Sequence, residues 1–194
     1  MITAYTYSPG CLVNRLIIKC SVMRPDAVMP SAPVQVDALW DTGAMRTCIS
    51  LSLVQKLGLL ADDETTVTCA DDKSFKAKVY SVQIQMGNFN IPYIRVIGLP
   101  MDNSGHDVII GMDIMTKGDL TITNHEGKTV LTFREPSLER IDYVQELNLY
   151  NRCLKVHEIN VRKNIKDKCA CGSGKDFNNC HGKGVYSDKR QSVK

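Results

Sequence analysis

Apolar and polar positions along this chain change places in short runs, and most runs carry the two-residue period of half-buried strands. Residues 12–23 (Leu-Val-Asn-Arg-Leu-Ile-Ile-Lys-Cys-Ser-Val-Met) read as a strand, and Pro25, Pro30 and Pro33 then force a loop. Val34 to Asp41 forms the next strand, followed by a short extended piece at Cys48-Ile49-Ser50. Ser52 and Gln55 make a capping box for a brief helix through Lys56-Leu57, closed by Gly58, with Leu53, Leu57 and Leu60 facing the core. Residues 65–98 read as a meander. Thr65–Cys69 and Phe75–Val79 flank the polar turn Ala70-Asp71-Asp72-Lys73-Ser74, Val82–Met86 alternates strictly, and Gly87-Asn88 turns it into Ile91–Ile97. Pro100 to His106 is a loop leading into a strand at Val108–Gly111. Met112–Lys117 makes one or two helical turns ended by Gly118. Asp119–Thr123 and Thr129–Phe133 then alternate around Asn124-His-Glu-Gly-Lys as a hairpin. From Ser137 the period lengthens. Leu138, Ile141, Val144, Leu147, Tyr150 and Leu154 fall on one face of an amphipathic helix, and Asn160–Lys168 is a polar, basic linker. The pattern predicts an all-β domain with short helices.

Two stretches carry candidate chemistry. In Leu39-Trp40-Asp41-Thr42-Gly43-Ala44 an apolar run stops at a carboxylate, and Gly43 permits a sharp turn. Such a turn sets Asp41 on a rigid strand end. On its own it is equally an Asx-type turn closing a strand. The second stretch, Val108-Ile109-Ile110-Gly111-Met112-Asp113, again runs from apolar residues into glycine.

Composition sets the frame. The chain has 194 residues, 43% hydrophobic and 23% charged, which suits one globular domain with a small appendage. No segment approaches the ~18 apolar residues of a membrane span. The N-terminus lacks a basic stretch followed by an apolar one, so no signal peptide is expected and a cytoplasmic location is. The net charge of +3 divides unevenly, because residues 161–194 carry nine Lys/Arg against three Asp/Glu and the rest is mildly acidic. A basic tail on a near-neutral domain gives no basis for nucleic-acid binding throughout, and Phe177 and Tyr186 are the only aromatic residues in that tail. His106, His125 and His157 read as surface residues, and Cys11, Cys20, Cys48, Cys69 and Cys153 as unbridged thiols.

With both motifs in order, residues 12–135 resemble the retropepsin-like aspartic proteases, in which a D-[ST]-G-A loop packs against a later apolar-apolar-Gly strand. The bacterial retropepsin-like proteins and the protease domain of the DNA-damage-inducible ubiquitin shuttle proteins are the most similar types. The resemblance implies an acid-protease barrel over residues 1–136, with Asp41, Thr42 and Gly43 as the catalytic turn. It implies that Ala44, the flap-tip residues Asp71 and Asp72, and Ile110 and Gly111 bind substrate, the flap spanning roughly residues 66–79. It also implies a homodimer through the hairpin of residues 119–134. Counting supports this, because an aspartic protease needs two carboxylates sharing a proton and the chain has one D-T-G, so the second Asp41 must come from a twin. The flap tip is acidic and lacks glycine, and Met45 and Met112 stand where viral enzymes place Asp and Arg. Ala44, where a hydroxyl could stabilise the carboxylate, implies a less acidic working pH. Peptides or unfolded proteins are the implied substrates. A non-catalytic peptide-binding adaptor is the alternative.

The tail holds the other specific pattern. In Cys169-Ala-Cys171-Gly-Ser-Gly-Lys-Asp-Phe-Asn-Asn-Cys180-His181, three thiolates and one imidazole make a tetrahedral zinc set. It is similar to the SEC-C motif, the zinc-binding tail of the preprotein translocase ATPase. The resemblance covers residues 164–183 and implies one structural Zn2+ and a protein partner. The expected organisation is therefore 1–136 protease domain, 137–163 helix and linker, and 164–194 zinc motif with basic tail.

Overall fold

The computed structural model describes residues 2–25, 32–68, 73–101, 104–163, 168–169 and 173–176, with backbone only for 155–163. The chain divides into two units, Met1–Glu139 and Arg140–Lys194.

The first unit is built on a closed ring of strands. β2 (Ile17–Met23) pairs with β3 (Val34–Trp40), which lies parallel to β8 (Val108–Ile110). β8 pairs with β4 (Cys48–Ser50), and β4 runs parallel to β7 (Phe89–Leu99). β7 pairs with the long β6 (Ser74–Met86), and β6 returns to β2 through Ser21–Met23, which closes a six-stranded barrel. Closure leaves no open edge around the ring. β5 (Asp63–Thr68) attaches outside the ring, on the N-terminal half of β6. Separately, β1 (Thr3–Tyr7), β10 (Val130–Glu135) and β9 (Asp119–Thr123) form a three-stranded sheet.

Alternation dictates which side chains fill the barrel. Ile18, Cys20 and Val22 of β2 point inward with Ala38 and Trp40 of β3, and with Val82, Ile84 and Met86 of β6. The three-stranded sheet joins the same core through Leu131 and Phe133. The Phe133 ring sits 5.4 Å from Trp40 and edge-on to Phe89 at 5.3 Å, a packing that fixes the strand end carrying Asp41. The all-β barrel with short helices is thus present.

Several local expectations shift. Helix α1 (Leu51–Leu57) starts earlier, because Ser50 and not Ser52 accepts the Leu53 N–H. Gly58 closes it in the left-handed conformation, and Leu53 and Leu57 are buried as expected. Leu60 is instead 87% exposed, since it lies past the cap where helical spacing no longer holds. β1 has no counterpart in the sequence reading, and β2 begins at Ile17 rather than at residue 12. Helix α2 (Met112–Met115) is a single turn, and the hairpin of residues 119–134 forms as expected.

The largest shift is in the second helix-bearing region. Ser137 does not cap a helix. Its hydroxyl donates to Asp119, which also accepts the Leu138 and Glu139 N–H groups and the Arg134 guanidinium. This web holds residues 137–139 against Asp119 of β9, outside any helix or strand. Helix α3 (Tyr143–Lys163) begins after Asp142, whose carboxylate accepts the Gln145 N–H, and it takes in residues 160–163, the first part of the stretch expected to be linker. Leu138 and Ile141 are exposed and outside it. No helix is long and apolar enough to cross a membrane among the described residues.

Candidate active site

β3 delivers Asp41. The strand register pairs Trp40 with Ile110, and the Asp41 N–H then donates to the Ile110 carbonyl at 3.0 Å, so the chain leaves the sheet at the carboxylate. The turn closes on itself. The Gly43 N–H donates to Asp41 Oδ1 at 2.8 Å, and the Ala44 N–H to the Asp41 carbonyl at 3.2 Å. This is the Asx geometry the sequence allows. It orients the carboxylate without burying it: Thr42 and Gly43 are exposed, and Asp41 and Ala44 half-buried.

The second motif braces the turn from behind. The Met112 N–H donates to the Ala44 carbonyl at 2.8 Å. A Cβ on Gly111 would come within 2.6 Å of the Arg46 carbonyl carbon and 2.9 Å of the Ala44 oxygen, so only glycine lets the two segments approach. Thr47, fully buried, locks the assembly. Its N–H reaches both oxygens of Asp113, at 3.0 and 2.9 Å, and its hydroxyl donates to Asp113 Oδ1 at 2.7 Å while accepting the Gly111 N–H at 3.2 Å. Sequence reasoning placed Asp113 at the end of the second motif but missed Thr47. Their 66-residue separation hides the pair, although an uncharged hydroxyl three residues past the D-T-G-A run was a usable hint.

The expected site residues therefore separate into groups. Asp41, Thr42, Gly43 and Ala44 lie together on one turn. Ile110 and Gly111, expected to bind substrate, take a different place. Ile110 is fully buried in the core and Gly111 is covered by the turn backbone, so both support the site from beneath. Asp71 and Asp72 lie outside the described residues, between β5 and β6. Met45 is 82% exposed beside the turn, and Arg46 is exposed as well.

Nearby thiols do not compete for a catalytic role. Burial, then the Asp113 charge, pushes the Cys48 thiol up to about 11, against a smaller lowering by Arg46 and a further rise from Asp41. Burial, then Asp37 and Asp107, pushes Cys20 up to about 12. Both stay protonated and non-nucleophilic at neutral pH.

Of the expected zinc ligands, Cys169 is described, and Cys171, Cys180 and His181 lie outside the described residues. Cys169 is buried, and its N–H donates to the Lys175 carbonyl at 2.7 Å, next to an antiparallel bridge between Lys168 and Asp176. Among the described residues, no three metal-binding side chains converge.

Comparison with known proteins follows this geometry. A family model for aspartyl proteases matches residues 32–114. The match opens just before the strand that carries Asp41 and closes on Ile114, so it contains both motifs and the Thr47–Asp113 lock. Comparison with curated proteins finds no match. Among solved structures, the chain is similar to a retropepsin-like aspartic protease from Rickettsia conorii, at 13% identity over 70% of this chain and 94% of that one, with a TM-score of 0.44. It is also similar to the retroviral protease-like domain of Ddi1 from Leishmania major, at 16% identity over 67% and 98%, with a TM-score of 0.37.

Proposed function

We propose that this protein is an aspartic endopeptidase that works as a homodimer on peptides or unfolded proteins. The observation that carries the reading is a solvent-reaching Asp41 carboxylate fixed by the Gly43 N–H at the end of a core strand, within the residues matched by the aspartyl protease model. A lone carboxylate cannot serve as both acid and base. Asp113 is not the second, because Thr47 occupies both of its oxygens. The complement is then Asp41 of a second copy across a two-fold axis. With one proton shared between them, one Asp41 takes a proton from a bridging water as it attacks the scissile carbonyl. The other donates its proton to the carbonyl oxygen. Thr42 ties the two turns together, Gly43 accepts substrate backbone, and Ala44 lines the site. The three-stranded sheet with the hairpin of residues 119–134 is the proposed contact between copies.

In the tail, we assign Cys169, Cys171, Cys180 and His181 to a structural Zn2+. With four protein ligands such a site has no open position for water, which suits a partner- or substrate-recruiting module rather than catalysis. What supports this is that Cys169 is buried and its backbone is held by the bond to the Lys175 carbonyl.

A second reading, capture of peptides without cleavage, draws on Met112 where viral enzymes carry arginine and on the glycine-free flap turn. One experiment separates the two. An unfolded, fluorescently labelled protein is incubated from about pH 4 to about pH 8 with wild type and with Asp41→Asn. Cleavage by wild type alone is expected. Binding without cleavage by either, from a folded dimer, would establish the adaptor.

A further inference from the structure

The first unit holds an arginine that its own fold leaves unused. Arg15, Arg95 and Arg134 each donate to an oxygen of the chain. The Arg46 side chain, close behind the Asp41 turn, is exposed and makes no hydrogen bond or ion pair among the described residues. Its backbone, by contrast, is held. The Arg46 carbonyl accepts the Cys48 S–H at 3.3 Å, the carbonyl carbon lies against Gly111, and the next residue is the buried Thr47. These are the contacts that brace the Asp41 turn, so the base of the Arg46 side chain keeps a set place relative to the carboxylate. The charges of Arg46 and Asp41 both act on the Cys48 thiol, in opposite senses, so the two groups flank one buried side chain.

The surroundings offer no competing charge pair. Cys48 clusters with Ala77 and Ile97, and Val67 and Ile109 pack partly buried against them. The β5–β6 register sets Thr65 opposite Ala77 and Val67 opposite Phe75, an uncharged face, whereas Lys76 and Lys78 alternate to the other one. A solvated surface arginine is common. This one stands on a braced backbone beside the candidate reacting carboxylate, and its partner is absent from the chain itself.

We propose that Arg46 selects substrates carrying an acidic side chain near the scissile bond. The planar guanidinium takes a carboxylate through two parallel N–H···O bonds, which lysine cannot reproduce. The inference rests on the endopeptidase reading and deepens it by naming a substrate class. Each copy in the proposed homodimer brings one Arg46, so the selection acts on both sides of the bond.

The test uses peptides with Glu, Gln or Lys placed in turn at successive positions around an apolar pair, cleaved by wild type, Arg46→Gln and Arg46→Glu and read by mass spectrometry. Wild type is expected to cleave the Glu peptide about 5–10-fold faster than the Gln peptide in kcat/KM, between the effect of an exposed ion pair and that of a charge-assisted bond shielded from water. The Lys peptide should be the slowest. Arg46→Gln should erase the order, and Arg46→Glu should put the Lys peptide first. Each ratio is taken within one protein, so a variant that folds or pairs poorly lowers all its rates and leaves the ratio readable. Equal cleavage of the three peptides by wild type overturns the proposal and leaves the endopeptidase standing. A preference for Glu that survives in Arg46→Glu or Arg46→Gln also overturns it. Cleavage of none by wild type overturns both.

Discussion

Replacing Asp113 with alanine tests whether the second motif holds the Asp41 turn in place. The substitution removes the acceptor for two groups of Thr47, a residue with no solvent exposure. A stranded buried N–H costs about 1–3 kcal/mol, and the lost hydroxyl bond to a charged acceptor about 1.5–3 kcal/mol. Asp113 is half-buried, so water can enter the vacated space and recover part of this. The expected loss is therefore about 2–4 kcal/mol, which a fold of ordinary stability survives. Asp113→Asn should lose less, about 1–2 kcal/mol, because its oxygen still serves the hydroxyl while its NH2 opposes the Thr47 N–H. Urea denaturation of both variants, and of Thr47→Val alone and combined with Asp113→Ala, gives the pairwise coupling. The double variant should fall short of additivity by at least about 0.5 kcal/mol. In the cleavage assay the folded Asp113→Ala chain should lose on the order of 100-fold, the scale set by displacing a reacting group by about 1 Å. A loss of stability under about 1 kcal/mol, or additive energies, would show that the network does not brace the turn.

Three further outcomes follow from the same geometry. Gly111→Ala should destabilise by about 1–3 kcal/mol and abolish cleavage in the fraction that folds, because the new methyl meets backbone that cannot move without carrying Asp41 with it; denaturation and activity on one preparation check it. Bonds from the Leu138 N–H, the Ser137 hydroxyl and Arg134 hold the Asp119 carboxyl well below the usual carboxylate range. The stability it confers is then present above the unfolded value of about 3.9 and lost only as pH falls below it toward the folded value. Asp119→Asn should accordingly be less stable than wild type at neutral pH, with the gap narrowing only in strong acid, as paired denaturation curves would show. Ala44→Ser should move the acid limb of the cleavage profile down by roughly half a unit to one unit, if the added hydroxyl bonds the charged form of Asp41; an unchanged limb would show that it does not.

What the sequence made legible was local. The strand into Asp41, the run into Gly111, the alternation of residues 82–86 and the 119–134 hairpin each depend on neighbours within a few positions. What escaped depends on distance. Thr3–Tyr7 is rich in the strand formers Thr and Tyr but too short to be read as a strand by itself, and its pairing with Val130–Glu135 at the far end of the domain fixes it. Ser52 and Ser50 are equivalent caps by composition, and the Asp107 carboxylate that accepts the Ser50 hydroxyl at 2.7 Å favours the latter. Ser137 looked like a helix start until Asp119, eighteen positions earlier, claimed it. The candidate site shows the same division. The D-T-G turn was readable, but the burial of Ile110 and the role of Thr47 emerge only when two segments meet.

The barrel's closure also sets how its parts open. β6 joins β2 and β7 over its C-terminal half, yet residues 74–78 pair with β5 alone. The register shifts between Val82 and Ile84, near where the strand passes from ring to arm. Amides in the arm can therefore break their bonds without unthreading the ring. In hydrogen exchange the molecule should behave as two clocks, a fast one on the β5–β6 arm and a slow one on the ring, set by complete unfolding. An arm on its own clock can open and close while the ring, and the Asp41 turn at the end of one of its strands, keeps its shape.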